Sequence, residues 1–125
     1  MEVVLFEREL DVMHVLWERG PSTVQEVRDA LEDEMAYTTV LTVLRRLEEK
    51  GYVGHAEEGR AYRYHPLVER SEARASALER LTRRLFEGSP ELLLTQLVTH
   101  RRLSAEEKRR LRAMLEGENG EEEKP

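Results

Sequence analysis

The sequence predicts a mainly α protein with a small β-hairpin, organised as a winged helix-turn-helix followed by a separate helical region. Three features carry this prediction. A capped helix from Thr23 to about Asp33 is followed by a break at Glu34, Met35 and Ala36, then by a second helix from Tyr37 to Lys50. Gly51 stops that helix, and two short runs with strand character flank Glu58 and Gly59. From Leu67 onward the pattern is helical and leucine-rich. The order places one helix where a DNA major groove could receive it, with a basic hairpin beside it.

The first helix is expected over Glu7 to Arg19, where Leu10, Met13, Leu16 and Trp17 fall at helical spacing and Gly20-Pro21 ends the run. His14 lies beside that stripe as a lone histidine and reads as structural, since a metal site needs several convergent ligands. Thr23-Val-Gln-Glu26 has the form of a capping box, in which the hydroxyl and the carboxylate each satisfy a free amide. Val24, Val27 and Leu31 then face inward. A helix N-terminus can also receive a phosphate, so Thr23 is a candidate DNA contact as well as a cap.

In the next helix Val40, Val43, Leu44 and Leu47 recur at i, i+3, i+4 and i+7, a stripe for burial. The opposite face carries Thr38, Thr42, Arg45 and Glu49, flanked by Thr39 and Arg46. Threonine can bond a base edge or touch a thymine methyl, and arginine can reach guanine or a phosphate. A solvated helix face would look similar in isolation, and it is the position after a capped helix and before a hairpin that favours groove reading. The strands are expected over Tyr52 to Glu57 and Arg60 to His65, with Arg60 at the tip and Pro66 closing the wing. Tyr62 and Tyr64 are expected against the recognition helix, with His55 and His65 as surface residues.

Residues 1–66 thus form the winged domain. Residues 67–116 hold helices over Val68 to Glu87, Pro90 to about His100 and Ser104 to Glu116. Leu78, Leu81, Leu85, Phe86, Leu92, Leu93, Leu94, Leu97, Val98, Leu111, Met114 and Leu115 crowd these helices. So short a segment cannot bury that much apolar surface alone, so it is expected to be a C-terminal helical dimerisation domain that buries it between two chains. Residues 117–125 read as a disordered acidic tail.

Composition narrows the function classes. Among 125 residues, 37% are charged and the formal net charge is −6, which opposes nucleic-acid binding until the distribution is considered. Acid gathers in the first helix, in Glu32-Asp33-Glu34 and in the tail, whereas Arg45, Arg46, Lys50, Arg60 and Arg63 lie where a winged helix meets DNA. The absence of cysteine removes disulfides and thiolate metal sites. The acidic N-terminus is expected to be neither a signal nor a transit peptide, no apolar run suffices for membrane insertion, and a cytoplasmic location is expected. No nucleophile, base and orienting group can be assembled from three aspartates and four scattered histidines, so no enzyme and no cofactor are expected.

Taken together, ERELDVMHVLWERGPSTVQEV, AYTTVLTVLRRLEEKGYV and EEGRAYRYHP resemble the penicillinase repressor family, the BlaI/MecI/CopY-type winged-helix transcriptional regulators. The resemblance runs from Leu5 to about Leu115. It implies a homodimer that represses β-lactamase-type or related genes by occupying a palindromic operator in double-stranded DNA. By motif position it places Thr38, Thr39, Thr42 and Arg46 among the recognition-helix contacts and Arg60 in the wing. It also implies a membrane sensor-protease as a partner. Members that respond to β-lactams are cut at an Asn-Phe bond where Gln96-Leu97, the candidate cleavage position, stands here. Either the protease specificity differs, or release takes another route such as a small ligand. Copper sensing through thiolates, used by another branch, is excluded by the lack of cysteine. The alternative from another class is a winged-helix protein-interaction adaptor that does not bind DNA.

Overall fold

Burying one apolar stripe on each of three helices organises the amino-terminal part of the chain. A computed structural model describes residues 2–122. The elements are α1 (Glu7–Arg19), β1 (Ser22–Thr23), α2 (Val24–Ala30), α3 (Tyr37–Glu49), β2 (Val53–Glu58), β3 (Ala61–Pro66), α4 (Arg70–Leu85), α5 (Pro90–His100) and α6 (Ala105–Glu122). The architecture is mainly helical with a small antiparallel sheet, as the sequence predicts. The chain divides into one compact unit ending at Arg80 and a second beginning at Leu81.

Helix α1 starts after Phe6, which has no side-chain acceptor for the helix amides, so only the reciprocal half of a capping box forms, the Glu9 carboxylate accepting the Phe6 amide at 2.9 Å. The helix stops at Gly20, whose φ of 83° suits glycine and whose amide donates to the Leu16 carbonyl. Met13 and Leu16 are buried as their spacing predicts; Val12 and Val15 join them, while Leu10 and Trp17 lie on the flank.

The capping box of α2 forms as expected. The Thr23 hydroxyl accepts the Glu26 amide at 3.2 Å, and the Glu26 carboxylate accepts the Thr23 amide at 3.0 Å. This helix ends at Ala30, three residues before the expected Asp33, with Leu31 already extended. The physical reason is charge: Glu32, Asp33 and Glu34 would crowd the negative end of the helix dipole. Arg28 closes the following turn by donating from Nε to the Met35 carbonyl at 3.1 Å.

The hairpin is joined by a third strand that no sequence pattern announces, since two residues show no alternation. β1 pairs with β3 through Ser22↔Tyr64 and Thr23↔Arg63, giving the sheet order β1-β3-β2. Pairing of Glu58 with Ala61 makes Gly59-Arg60 the turn, one residue beyond the expected Glu58-Gly59. Gly59, at φ 64°, takes the first central position, where a two-residue hairpin turn demands positive φ. Tyr64 is buried as expected, whereas Tyr62 is exposed and stacks on His55 at 4.3 Å between ring centroids.

The core joins Val12, Met13, Leu16, Val27, Val40, Leu44, Leu47, Val53 and Tyr64. It also takes in Val68 and Ala73, and Trp17 Nε1 donates to the Val68 carbonyl at 2.9 Å. The first unit therefore continues beyond the boundary expected at Pro66, because the start of α4 supplies part of its core.

In the second unit Ser89 caps α5, accepting the Leu92 amide at 3.1 Å, and Ser104 and Glu107 cap α6 reciprocally at 3.0 Å. Among the described residues none beyond Ala73 is buried, and Leu85, Leu92, Leu94, Leu97, Val98, Met114 and Leu115 are exposed. Helix α6 passes Gly117, where the acidic tail was expected to be disordered; residues 123–125 of that tail lie outside the described residues.

Replacing Thr23 with Ala should lower unfolding free energy by about 1 kcal/mol, measured by urea denaturation. The Thr23 amide, more than any other group, holds the Glu26 carboxyl below its ordinary 4.5. A lowered folded value stabilises the fold above 4.5 and ceases to do so as pH falls through that lower value. The stability advantage over Glu26→Gln should therefore be full at neutral pH and shrink on acidification below about 4.5.

Candidate nucleic-acid interface

Helix α3 cannot rotate about its axis once Val40, Val43, Leu44 and Leu47 are buried. That constraint turns Thr38, Thr42, Arg45, Arg46 and Glu49 to the exposed side, with Thr39 half-buried at its margin. The face is therefore assembled as the sequence predicts. The Thr42 hydroxyl donates its proton to the Thr38 carbonyl at 2.8 Å. What Thr42 presents outward is an acceptor lone pair and a methyl group, not a donor.

The N-terminus of α3 has no side-chain cap, because Ala36 carries no polar group. Its first amides are left without an intrahelical partner at the positive end of the helix dipole.

Beside this face is a shallow depression of about 250 Å³ bordered by Thr38, Thr39, Thr42, Arg46 and, from α1, Arg8. Arg8 is exposed, and its guanidinium has no acceptor among the described residues. Nothing in the sequence alone singles out Arg8. It is one of two arginines in an acidic helix, and it becomes meaningful only when folding brings α1 beside α3.

The five basic residues expected near DNA divide into two groups. Lys50 donates to Glu9 at 2.7 Å, lies 4.4 Å above the Phe6 ring and faces a carboxylate that is only 1% exposed. Arg63 bridges Glu26 at 2.9 Å, Glu58 and the Pro21 carbonyl. The Glu58 hydrogen bond, first among several contacts, raises the Arg63 pKa above its ordinary value. Both cations are thus committed to the fold. Arg45, Arg46 and Arg60 are exposed, with no ion pair among the described residues.

Thr23 lies at the other helix start, half-buried, with its hydroxyl oxygen occupied by the Glu26 amide and its own amide by the Glu26 carboxylate. The amide is thus internally satisfied, while the hydroxyl, an acceptor in the cap, keeps its O–H as a donor. On the wing, burial is the chief cause raising the Tyr64 phenol above its ordinary 10.0, while His55 Nδ1 meets Glu48 Oε2 of α3 at 2.5 Å. Gln96 and Leu97 lie within α5, and both are exposed. Among the described residues no cluster of metal-binding side chains occurs, and no helix is long and apolar enough to cross a membrane.

Comparison with known proteins matches the penicillinase repressor family over residues 5–117. The transcriptional regulator BlaI of Mycobacterium tuberculosis is 38% identical over 126 residues, covering 97% of this chain and 90% of that protein. The penicillinase repressor of Bacillus licheniformis is 29% identical, with 88% of each chain covered. The solution structure of monomeric Bacillus licheniformis BlaI in complex with the blaP half-operator aligns at a TM-score of 0.50 and 31% identity. That alignment covers 58% of this chain and 90% of the other. A MarR family protein from Bacillus stearothermophilus shares the fold over 98% of this chain and 78% of its own, with TM-score 0.53 and 18% identity.

The division of cations predicts opposite outcomes for two alanine substitutions. Lys50→Ala strands the buried Glu9 carboxylate and should destabilise by about 3 kcal/mol, the lower end for breaking a buried pair because Lys50 is partly exposed. Arg45→Ala should change stability by less than about 0.5 kcal/mol in the same denaturation experiment.

Proposed function

This chain belongs to the penicillinase repressor family, whose members are transcriptional repressors and not enzymes, and on that premise we propose that it represses transcription as a dimer on a palindromic operator. The observation that carries this reading is the exposed face of α3 with Arg45 and Arg46, joined by Arg8 of α1 and Arg60 of the wing, four cations without an ion pair among the described residues. In a chain of net charge −6, arginines kept out of ion pairs suit a polyanion better than another protein surface.

In this reading α3 enters the major groove. Arg46 and Thr42 meet base edges, Thr38 and Thr39 meet the groove wall near the start of the helix, and a phosphate takes the place of the missing cap at Ala36. Arg8, Arg45 and Arg60 hold the backbone. Thr23 remains a cap first, with any phosphate contact secondary. In this reading the protein works in the cytoplasm.

The reading as a dimer rests on the second unit, where Leu85, Leu92, Leu94, Leu97, Val98 and Leu115 stay exposed among the described residues. Two identical units present two α3 helices to two half-sites and bury α5 leucines against each other. Release by a membrane sensor-protease cutting at Gln96-Leu97 would need α5 to open locally, since a helical peptide bond does not fit an extended protease cleft.

Three outcomes test the proposal. Static light scattering at micromolar concentration should give twice the chain mass, and a protein cut after Arg80 should scatter as a monomer; a monomeric intact chain would sink the dimer. Binding to the DNA beside its own coding sequence, followed by gel shift at two salt concentrations, should separate two kinds of residue. Arg46→Ala should cost roughly 1–3 kcal/mol per half-site and relax base preference, whereas Arg8→Ala and Arg60→Ala should weaken all sequences alike and lower the salt slope by about 1. Thr42→Val, which keeps the methyl and loses the acceptor, should preserve preference at a thymine contact and lose it at an adenine or cytosine contact, with Thr42→Ser giving the reverse.

A further inference from the structure

A second concave site lies within the first unit, away from the α3 face. It is a pocket of about 190 Å³ with an apolar wall that includes Leu5, Leu10, Trp17 and Ala77. Arg70, Arg74 and Arg80 also line it, and among the described residues no carboxylate does. Two of these arginines are neutralised from outside the lining: Arg70 by Glu18 at 3.1 Å and Arg80 by Glu2 at 3.7 Å. Arg74 is exposed and its guanidinium has no acceptor among the described residues. Arg70 keeps a further unmet donor, its Nε, which is buried without a partner. That Nε has almost no accessible surface and does not open into the pocket, and the Arg70 guanidinium lies 5.6 Å over the Trp17 ring. The cation open to a pocket anion is therefore Arg74.

We propose that this pocket binds a small amphipathic monocarboxylate, its ring or short chain against Trp17, Leu10 and Ala77 and its carboxylate toward Arg74. Size and charge select this class. Drug-sized ligands fill ~300–1,000 Å³, so a pocket of this volume takes one ring or a short chain. The apolar wall disfavours a fully polar anion such as inorganic phosphate, and the cationic rim disfavours amines. The larger depression of about 380 Å³ between α1 and α2 has the opposite character, with Asp11, Glu18, Glu32 and Asp33 around it, and repels the same ligand. The site is independent of the α3 face and makes no use of DNA.

The chain's single tryptophan stands in the pocket wall and supplies the readout. Cyclohexanecarboxylate, which does not absorb where tryptophan does, would be titrated into the intact protein while Trp17 emission is followed, with cyclohexanecarboxamide as the neutral twin. The expected result is a saturable change with the acid and at least tenfold weaker binding of the amide. Arg74→Gln should weaken the acid about tenfold and leave the amide unaffected; Ala77→Leu, at an exposed helix position, should fill the pocket and abolish both. Circular dichroism would confirm that each variant is folded. Equal responses to acid and amide, no saturation by tens of millimolar, or undiminished acid binding in Arg74→Gln would overturn the assignment. Because no DNA is present, failure here leaves the operator reading untouched, and failure there leaves this one untouched.

Discussion

Everything else in the first unit depends on the orientation lock of α3. Four apolar side chains on one stripe are sealed against α1, α2 and the sheet, and a helix so held has only one face to offer. Thr38, Thr42, Arg45 and Arg46 acquire a common direction from this burial, and the side-chain hydrogen bond from Thr42 to the Thr38 carbonyl adds to it. Large-to-small changes at Val40 or Leu44 would therefore damage the outer face through lost rigidity as well as lost stability.

Around that lock the ion pairs act as fasteners between elements distant in sequence. Lys50, at the end of α3, is tied to Glu9 of α1 and lies over Phe6, while Tyr52 donates and accepts around the Glu2 to Val4 backbone. Arg63 of β3 reaches the cap of α2 and the far end of β2 together. These contacts consume cations that a count of basic residues would assign to DNA. An acidic protein that binds a polyanion has to keep some arginines out of such pairs, and geometry rather than composition records which ones.

The elements that could be read from the sequence are those whose cause is local. The 3.6-residue spacing of Val40, Val43, Leu44 and Leu47 announces a half-buried helix, Thr23 and Glu26 announce a cap, and Gly51 announces a stop. The details that shifted have non-local causes. β1 exists only because Ser22 and Thr23 lie beside Tyr64 and Arg63, and the core recruits Val68 and Ala73 from beyond Pro66. The outer face of α3 was legible because periodicity fixes faces. Arg8 was not, since no spacing within α1 says which neighbour it will meet, and neither was the loss of Lys50 and Arg63 to internal carboxylates.

The uncovered leucines of α5 and α6 bear on what melting this protein would mean. The first unit owns its core, so its stability is a property of one molecule. The second unit exposes Leu92, Leu94, Leu97, Val98, Met114 and Leu115, and its free energy depends on whatever covers them. By mass action that contribution grows with the concentration of the cover. Heating would then give a transition whose midpoint moves with dilution beside one that stays fixed, and a single unfolding temperature would be undefined. At low copy number the second half would loosen before the first.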